Sequence, residues 1–297
     1  MKLNLWGLCL LGWLTITSLA PADEAPTSRE ELKKLVAAIN YQHGTITLPG
    51  NIATLNLPTN LCYLSPKDAD TVLVKLWGNP PGRKTLGMLV PTDKKPYQKG
   101  CWAVAVTLAE DGYVKDDDAG KINYDDLLKK MQAAAKENNK ERTAKGYPAV
   151  ELAGWAEPPH YDAVTHKLYW AKDVKFDGES QDTLNYDIRI LGRRGVLVLQ
   201  AIAGMNQLQE IRDQTPQLLA AVDFNEGSRY ADFDPKVDKV ATYGIAALVA
   251  GGIAAKLGFF KLLLVGLLAA KKFIIIAAVA VTAWVRKIFA KRKGPAA

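Results

Sequence analysis

Apolar and polar residues alternate most clearly between positions 183 and 202. Leu184, Tyr186, Ile188 and Ile190 alternate with Asn185, Asp187 and Arg189, and the motif Gly192-Arg193-Arg194-Gly195 supplies a turn. Residues 196–202 then return as a run rich in Val, Leu and Ile, so the period of two predicts a β-hairpin whose second strand is buried. The same pattern predicts a hairpin over 44–48 and 53–57 around Pro49-Gly50-Asn51. It also predicts strands at 86–90, 101–108, 152–155, 167–171, 222–224 and 230–233, with a loop over 157–165.

Helical spacing appears elsewhere. Leu32, Leu35, Val36 and Ile39 share one face of residues 28–40. Ser65-Pro66 with Asp68 reads as an N-cap and first turn, followed by Val72, Leu73 and Leu76 facing inward and a stop at 77–82. Asn123 caps a long helix from Tyr124 to about Lys145, whose second half is polar all round and predicted to be solvated. Residues 207–222 are helical with a break near Thr215-Pro216. Antiparallel hairpins mixed with a few helices make the fold class α+β, a mostly antiparallel sheet with several packed helices.

The two ends of the chain follow another pattern. Lys2, an apolar run over 3–19 and the small-x-small site Ala20-Pro21-Ala22 read as a signal peptide over 1–22, with an uncleaved anchor helix as the alternative. Residues 23–27 form a linker, and 28–240 form the exported domain. Residues 241–260 hold a single charge, Lys256, and a helix of that length matches a bilayer core of about 30 Å. A second apolar run, 273–285, is short for a span. A hydrophobic helical anchor is therefore expected over 241–290, one span plus an amphipathic helix being favoured over two spans, with a basic tail at 291–297. Ala247, Gly251 and Ala255 recur at i, i+4 and i+8, a spacing that lets membrane helices approach closely and would serve a homo-oligomer.

Charge sharpens this picture. The 297 residues carry a formal charge of +7, but all 31 acids fall between Asp23 and Asp238, and 28 of the 38 bases lie between Asp23 and Val240. The tail after residue 240 carries nine bases and no acid. The excess is confined to an apolar tail, so it reads as an orientation signal rather than a nucleic-acid surface. It places the main domain in the periplasm, the anchor in the inner membrane and the C-terminus in the cytoplasm, and it makes anionic lipids a partner of the tail.

The motifs of standard hydrolases, nucleotide-binding proteins and metalloproteases are absent: GxxxxGK[ST], HExxH, GxSxG and CxxC do not occur. No cofactor is expected. Cys62 and Cys101 lie in or beside strands in an oxidising compartment, which leaves a disulfide or two buried thiols open. His160, Asp162 and His166 share one loop and supply two imidazoles and a carboxylate, donors suited to a transition metal, but without regular spacing or a fourth ligand. The acids Asp116, Asp117, Asp118, Asp125 and Asp126 fail the EF-hand pattern. Trp77, Asn79, Trp155, Glu157, His160 and Tyr161, in two loops that join Trp to Pro-Pro, make the first choice for a binding surface.

The segments LVKLWGNPPG (73–82), TLGMLVP (85–91), GWAEPPHYDAVTHKLYWAK (154–172), TLNYDIRILGRRGVL (183–197) and YADFDPKVDKVATYGIAALVAGGIAAK (230–256) resemble a known family. It is the group of uncharacterised bacterial membrane-anchored proteins called domain of unknown function two-one-six-seven. The resemblance covers roughly residues 28 to 290. It implies a Gram-negative envelope protein with an exported domain and a C-terminal anchor. It implies no activity and carries over no catalytic residue, and Cys62 and Cys101 stand outside the family's pattern. The expected function is a membrane-anchored periplasmic interaction or ligand-binding module that works with other envelope proteins. The alternative is a hydrolase-like envelope enzyme using the His160, Asp162 and His166 loop with Glu157.

Overall fold

The computed structural model describes residues 29–251, apart from Gly78, Pro80, Arg83, Lys99 and Lys145. The expected signal peptide, the linker, Ala255, the basic tail and the expected anchor beyond residue 251 lie outside the described residues. The elements run α1 (Arg29–Ala38), β1 (Tyr41–Gln42), β2 (Thr45–Thr47), β3 (Ala53–Asn56), β4 (Leu61–Leu64) and α2 (Pro66–Asp70), which continues as a π-helix over Thr71–Leu76. They continue β5 (Gly87–Pro91), β6 (Ala103–Ala109), α3 (Tyr124–Ala144), β7 (Val150–Asp162), β8 (Lys167–Phe176), β9 (Thr183–Leu191), β10 (Val196–Gly204), α4 (Leu208–Ala221), β11 (Val222–Phe224) and α5 (Ile245–Ala250).

Eight strands form one sheet in the order β1-β4-β5-β6-β10-β9-β8-β7, and three form another in the order β11-β3-β2. Every pairing within them is antiparallel. The α+β class read from the periodicity therefore stands. Local signals place several elements as expected. Ser65 Oγ accepts from the Asp68 amide and caps α2, and Asn123 Oδ1 accepts from the amides of Asp125 and Asp126 at the start of α3. The hairpin at β9 and β10 pairs Val196 with Leu191. Its turn needs glycine at 195, because a Cβ there would lie 2.2 Å from the Ala109 carbonyl oxygen.

Both faces of the large sheet are covered. On one face Tyr186, Ile188, Leu197 and Leu199 pack against Leu48, Leu55 and Val222 of the small sheet and Ile211 and Leu218 of α4. On the other, Leu64, Met88 and Val90 meet Ala69, Val72 and Leu73 of the helix after β4. Further along that face Leu168, Trp170 and Val196 meet Ile245, Leu248 and Val249 of α5, while Ala135 of α3 packs with Leu152, Val174 and Phe176. Each aliphatic side chain buried this way contributes about 1.5–3 kcal/mol. Double coverage overturns one consequence of the alternation. Asn185 and Asp187, the polar positions of that alternation, are buried at 4% and 0% exposure.

Three other expectations are corrected. The loop expected over 157–165 is largely strand: β7 runs to Asp162 through three register shifts, the last spanning Pro158 and Pro159. Prolines are tolerated there because β7 is an edge strand and owes no ladder hydrogen bond on its outer side. Second, α4 runs unbroken through Pro216. Thr215 Oγ1 donates to the Ile211 carbonyl beside it. Third, the polar end of α3 is not simply solvated. Asn139 Nδ2 donates to the Val150 carbonyl at 2.8 Å while its Oδ1 accepts from the Val150 amide at 2.8 Å. Gln132 Nε2 donates to the carbonyls of Leu152 and Ala153, and Arg142 donates to that of Pro148. Side chains of α3 thus occupy the open edge of β7, where an unpaired strand would invite association. Asn139→Ala is expected to cost about 1–3 kcal/mol, because it strands two backbone groups. Urea unfolding against the exposed-site control Lys136→Ala measures it, and equal midpoints would discard the edge-capping role.

Candidate functional site

The six residues expected from the sequence as a binding surface are not brought together in one place. Trp77 is 7% exposed, packs in the core beneath the α2 helix, and donates from Nε1 to the Pro96 carbonyl at 2.9 Å. Asn79 Nδ2 donates to the Leu73 carbonyl and closes the end of the π-helix. Trp155 is half-buried over α3, its Nε1 donating to the Tyr124 carbonyl at 3.3 Å. Glu157 lies on the face that carries α4, where its Oε2 accepts from Arg212 Nε at 3.1 Å and from the Tyr186 hydroxyl at 3.2 Å. His160 is exposed, its ring 5.1 Å from that of Tyr169. Only Tyr161 enters a cluster of polar and aromatic groups with chemical interest.

The metal set also fails to assemble. Asp162 is occupied by its own turn, accepting from the Val164 amide and the Thr165 hydroxyl. His166 turns instead toward Asp116. Among the described residues no group of three or more His, Cys, Asp or Glu is placed to hold a metal ion. Cys62 and Cys101 are free thiols rather than a bridge. The Cys62 thiol turns to the Val90 carbonyl and that of Cys101 to the Trp102 carbonyl. Burial raises both thiols, Cys101 to about 12, so neither is a ready thiolate.

What the fold does bring together is Asp116, Tyr161, His166 and Tyr230. Tyr161 donates its hydroxyl to Asp116 Oδ2 at 2.6 Å, and Tyr230 donates to Oδ1 at 3.2 Å. His166 Nδ1 lies 3.4 Å from Asp116 Oδ2 and 3.1 Å from the Tyr161 hydroxyl oxygen. Burial opposes the charge on Asp116, but the two tyrosine hydroxyls outweigh it and hold the carboxyl below its ordinary range. Tyr161 is raised by burial and by that carboxylate, and Tyr230 by burial, by Tyr113 and then by the carboxylate. The rings form a stack: Phe233 on Tyr113 at 4.0 Å, Tyr113 on Tyr230 at 4.4 Å, Tyr230 on His166 at 4.0 Å. His166 ends it with a left-handed backbone, φ 53°, a conformation that costs a side chain of this kind about 1–3 kcal/mol. Asp116 and His166 keep 26% and 29% of their side-chain surface open, so water reaches the pair. In the sequence Asp116 stands out only within an acidic run that fails the EF-hand pattern, and Tyr113, Tyr230 and Phe233 carry no chemical motif. The only signal was an acid in an Asp run and a YADF segment that looked like a strand and is a 3₁₀ turn over Tyr230–Asp232.

A second polar group is sealed. Asp187 Oδ2 lies 2.9 Å from Lys172 Nζ, and its Oδ1 accepts from Arg189 Nη2 at 2.9 Å and Gln200 Nε2 at 3.2 Å. Trp170 lies beneath both cations, its ring centre 5.0 Å from Arg189 Cζ and 5.9 Å from Lys172 Nζ. Such a group orders the sheet but offers no access to a reactant.

The chain after β11 forms a clasp. Asp238 receives Arg193 Nε at 2.6 Å and Arg194 Nε at 2.9 Å, both from the β9–β10 turn. The Arg193 hydrogen bond is the main cause that holds the Asp238 carboxyl far below its usual range. The Tyr113 amide donates to the Lys239 carbonyl and the Ala241 amide donates back to that of Tyr113, both at 2.8 Å. Tyr243 donates to Asp111 at 2.6 Å. Asp118 accepts from the amides of Ile245 and Ala246 and caps α5. Ile245, Leu248 and Val249 are buried, so the domain continues to Ala250 instead of ending at 240. The continuous helix expected over 241–260 is likewise absent from its described part. Residues 241–244 are not helical, and Gly251 has φ 94°, the left-handed conformation that ends a helix. Ala247 and Gly251 therefore do not share one helix face. Among the described residues no helix is long and apolar enough to cross a membrane.

Over residues 12–282 the chain matches the family described as Protein of unknown function (DUF2167), and it belongs to that family. No curated protein matches it. Among solved structures it is similar to the solution structure of cyanobacterial PsbP (CyanoP) from Synechocystis sp. PCC 6803, at 7% identity and a TM-score of 0.35, over 64% of this chain and 94% of that one.

Proposed function

We propose that this member of the DUF2167 family is an exported, membrane-anchored interaction or ligand-binding module. Its domain lies on the periplasmic side of the inner membrane, and the apolar sequence beyond Ala250 is the anchor. The clasp is the observation that carries the reading. A domain joined to its anchor by a linker needs no bonds along the junction. Here Asp238, Lys239, Ala241, Tyr243, Ile245 and Ala246 are all bonded to the domain immediately before the apolar stretch. That arrangement supports counting residues 238–246 with the domain and leaving the apolar, acid-free sequence beyond Ala250 as the anchor of a module that meets envelope partners. A tagged full-length chain in a Gram-negative host tests it. The chain is expected in the membrane fraction after alkaline carbonate washing, with its domain digested by protease added to spheroplasts. A soluble chain, or a domain protected in intact spheroplasts, would reject the reading.

A second reading, a hydrolase-like envelope enzyme, is favoured by one observation: His166 has a carboxylate partner, Asp116 in place of Asp162, and the pair is open to water. Full complementation of a knockout phenotype by a chain carrying His160→Ala and His166→Ala would remove it.

A further inference from the structure

We infer that Asp116, Tyr161 and His166 form a binding site for a ferric ion. This rests on the ligand-binding reading above and names the ligand, taking the His166–Asp116 pair of the second reading as metal donors. Among the described residues His, Cys, Asp and Glu alone supply no group of three for a metal. The Tyr161 oxygen completes a trio with one carboxylate and one imidazole.

The three donors are spaced for one ion. Asp116 Oδ2 lies 2.6 Å from the Tyr161 hydroxyl oxygen and 3.4 Å from His166 Nδ1, and the last two lie 3.1 Å apart. A small cation that holds oxygen and nitrogen at about 2.0–2.2 Å sets neighbouring donors about 2.8–3.6 Å apart, from octahedral to tetrahedral coordination. Two of the separations fall in that range. The third is a short hydrogen bond whose proton the ion would displace.

The surroundings favour a cation. Asp187 and Asp238 face lysine or arginine side chains, whereas Asp116 faces two tyrosines and a histidine. Tyr230 donates to Asp116 Oδ1 and orients the carboxylate with Oδ2 beside Tyr161 and His166, as outer partners of metal-bound carboxylates do. Stacking on Tyr113 fixes Tyr230 in turn. The left-handed backbone of His166 is strain of the kind that collects at ligand clamps. Asp116 and His166 stay partly open, so water or a small anion has access to the remaining coordination positions.

The donor types select the metal. Calcium takes about six to eight oxygens, and closed zinc sites are built from thiolate and imidazole. Carboxylate and phenolate are hard, anionic oxygen donors suited to a small trivalent ion, and imidazole suits iron. In an exported, oxidising compartment that ion is ferric. On binding, the Tyr161 hydroxyl gives its proton to solvent and the neutral imidazole keeps its own on Nε2. The ion undergoes no change of oxidation state.

Addition of ferric nitrilotriacetate to the untagged full-length chain in detergent tests the site. The expected result is about one iron retained per chain after desalting, with the visible absorption band of a tyrosinate–iron(III) bond. Tyr161→Phe is expected to abolish the band. Tyr230→Phe is expected to weaken binding roughly 10–100-fold, the usual cost of losing an outer partner of a ligand. Circular dichroism establishes that each variant is folded, and His166→Gln, in the β7–β8 turn, is a second variant expected to lose the iron. Wild-type chain that retains no iron, or retains it without the band, would overturn the inference. So would equal retention by Tyr161→Phe and His166→Gln, or displacement of the iron by an equal concentration of zinc. Each of these failures leaves the membrane location intact, which the fractionation experiment decides separately.

Discussion

Asp187→Ala is expected to destabilise the domain by about 3–5 kcal/mol, the loss that follows when one partner of a buried ion group is removed. Asp187 is fully buried, and its loss leaves Lys172 and Arg189 as a pair of like charges at 8% and 13% side-chain exposure. Removing all three charges, as Asp187→Leu with Lys172→Met and Arg189→Met, is expected to cost less than removing Asp187 alone. Apolar replacement of a whole buried ion group is often close to neutral. Urea midpoints of the three proteins decide it, and a loss below about 1 kcal/mol for Asp187→Ala would show that water reaches the cations. The pH dependence has a fixed sign. Burial raises the Asp187 pKa, but Lys172 and then Arg189 outweigh it, so the net shift is downward. A carboxyl with a lowered folded pKa adds stability above its unfolded value, near 4, and that stability fades as the pH falls through the folded value. The wild type should lose stability in acid more steeply than Asp187→Ala. Asp116 is shifted in the same direction, so some acid sensitivity will remain in the variant.

Trp77→Ala is expected to lower stability by about 3–5 kcal/mol, the usual cost of deleting a large core aromatic. The ring packs with Leu64, Ala69, Leu73 and Met88, and its Nε1 bond to the Pro96 carbonyl closes the loop before β6. In a domain of this size that corresponds to a fall in Tm of roughly 6–20 °C. Trp77→Phe keeps most of the apolar contact and strands one acceptor, so it should lose about 1–3 kcal/mol. Thermal unfolding by circular dichroism separates the two. A Trp77→Ala protein with unchanged Tm but altered ligand or partner binding would restore Trp77 to the surface role that its loop, rich in Gly and Pro, suggests from sequence.

That reversal at Trp77 shows where sequence reading stops. The motif WGNPPG has the composition of a turn, and the turn is there, but composition says nothing of the direction in which its first side chain points. The candidate site was still less legible. Asp116 meets Tyr161 and Tyr230 across 45 and 114 residues of chain, and no local pattern carries a contact of that range. His166 meets Asp116 and not Asp162, because Asp162, nearer in sequence, is consumed by the β7–β8 turn.

The sequence by itself determined what depends on neighbours along the chain. The β9–β10 hairpin, the turn at Pro49–Asn51, the caps at Ser65 and Asn123 and the antiparallel α+β class all follow from backbone preferences and one-face periodicity. Tertiary structure decided whatever required a second layer. Alternation reports the contrast between the two faces of a strand, and it cannot report that helices will cover the polar face and bury Asn185 and Asp187. Nor can it report that β7 is an edge strand able to pass through Pro158 and Pro159 while Asn139 and Gln132 cover its open end. The clasp has the same origin. Apolar content after residue 240 signals burial, and only packing decides that Ile245, Leu248 and Val249 are buried by the domain itself.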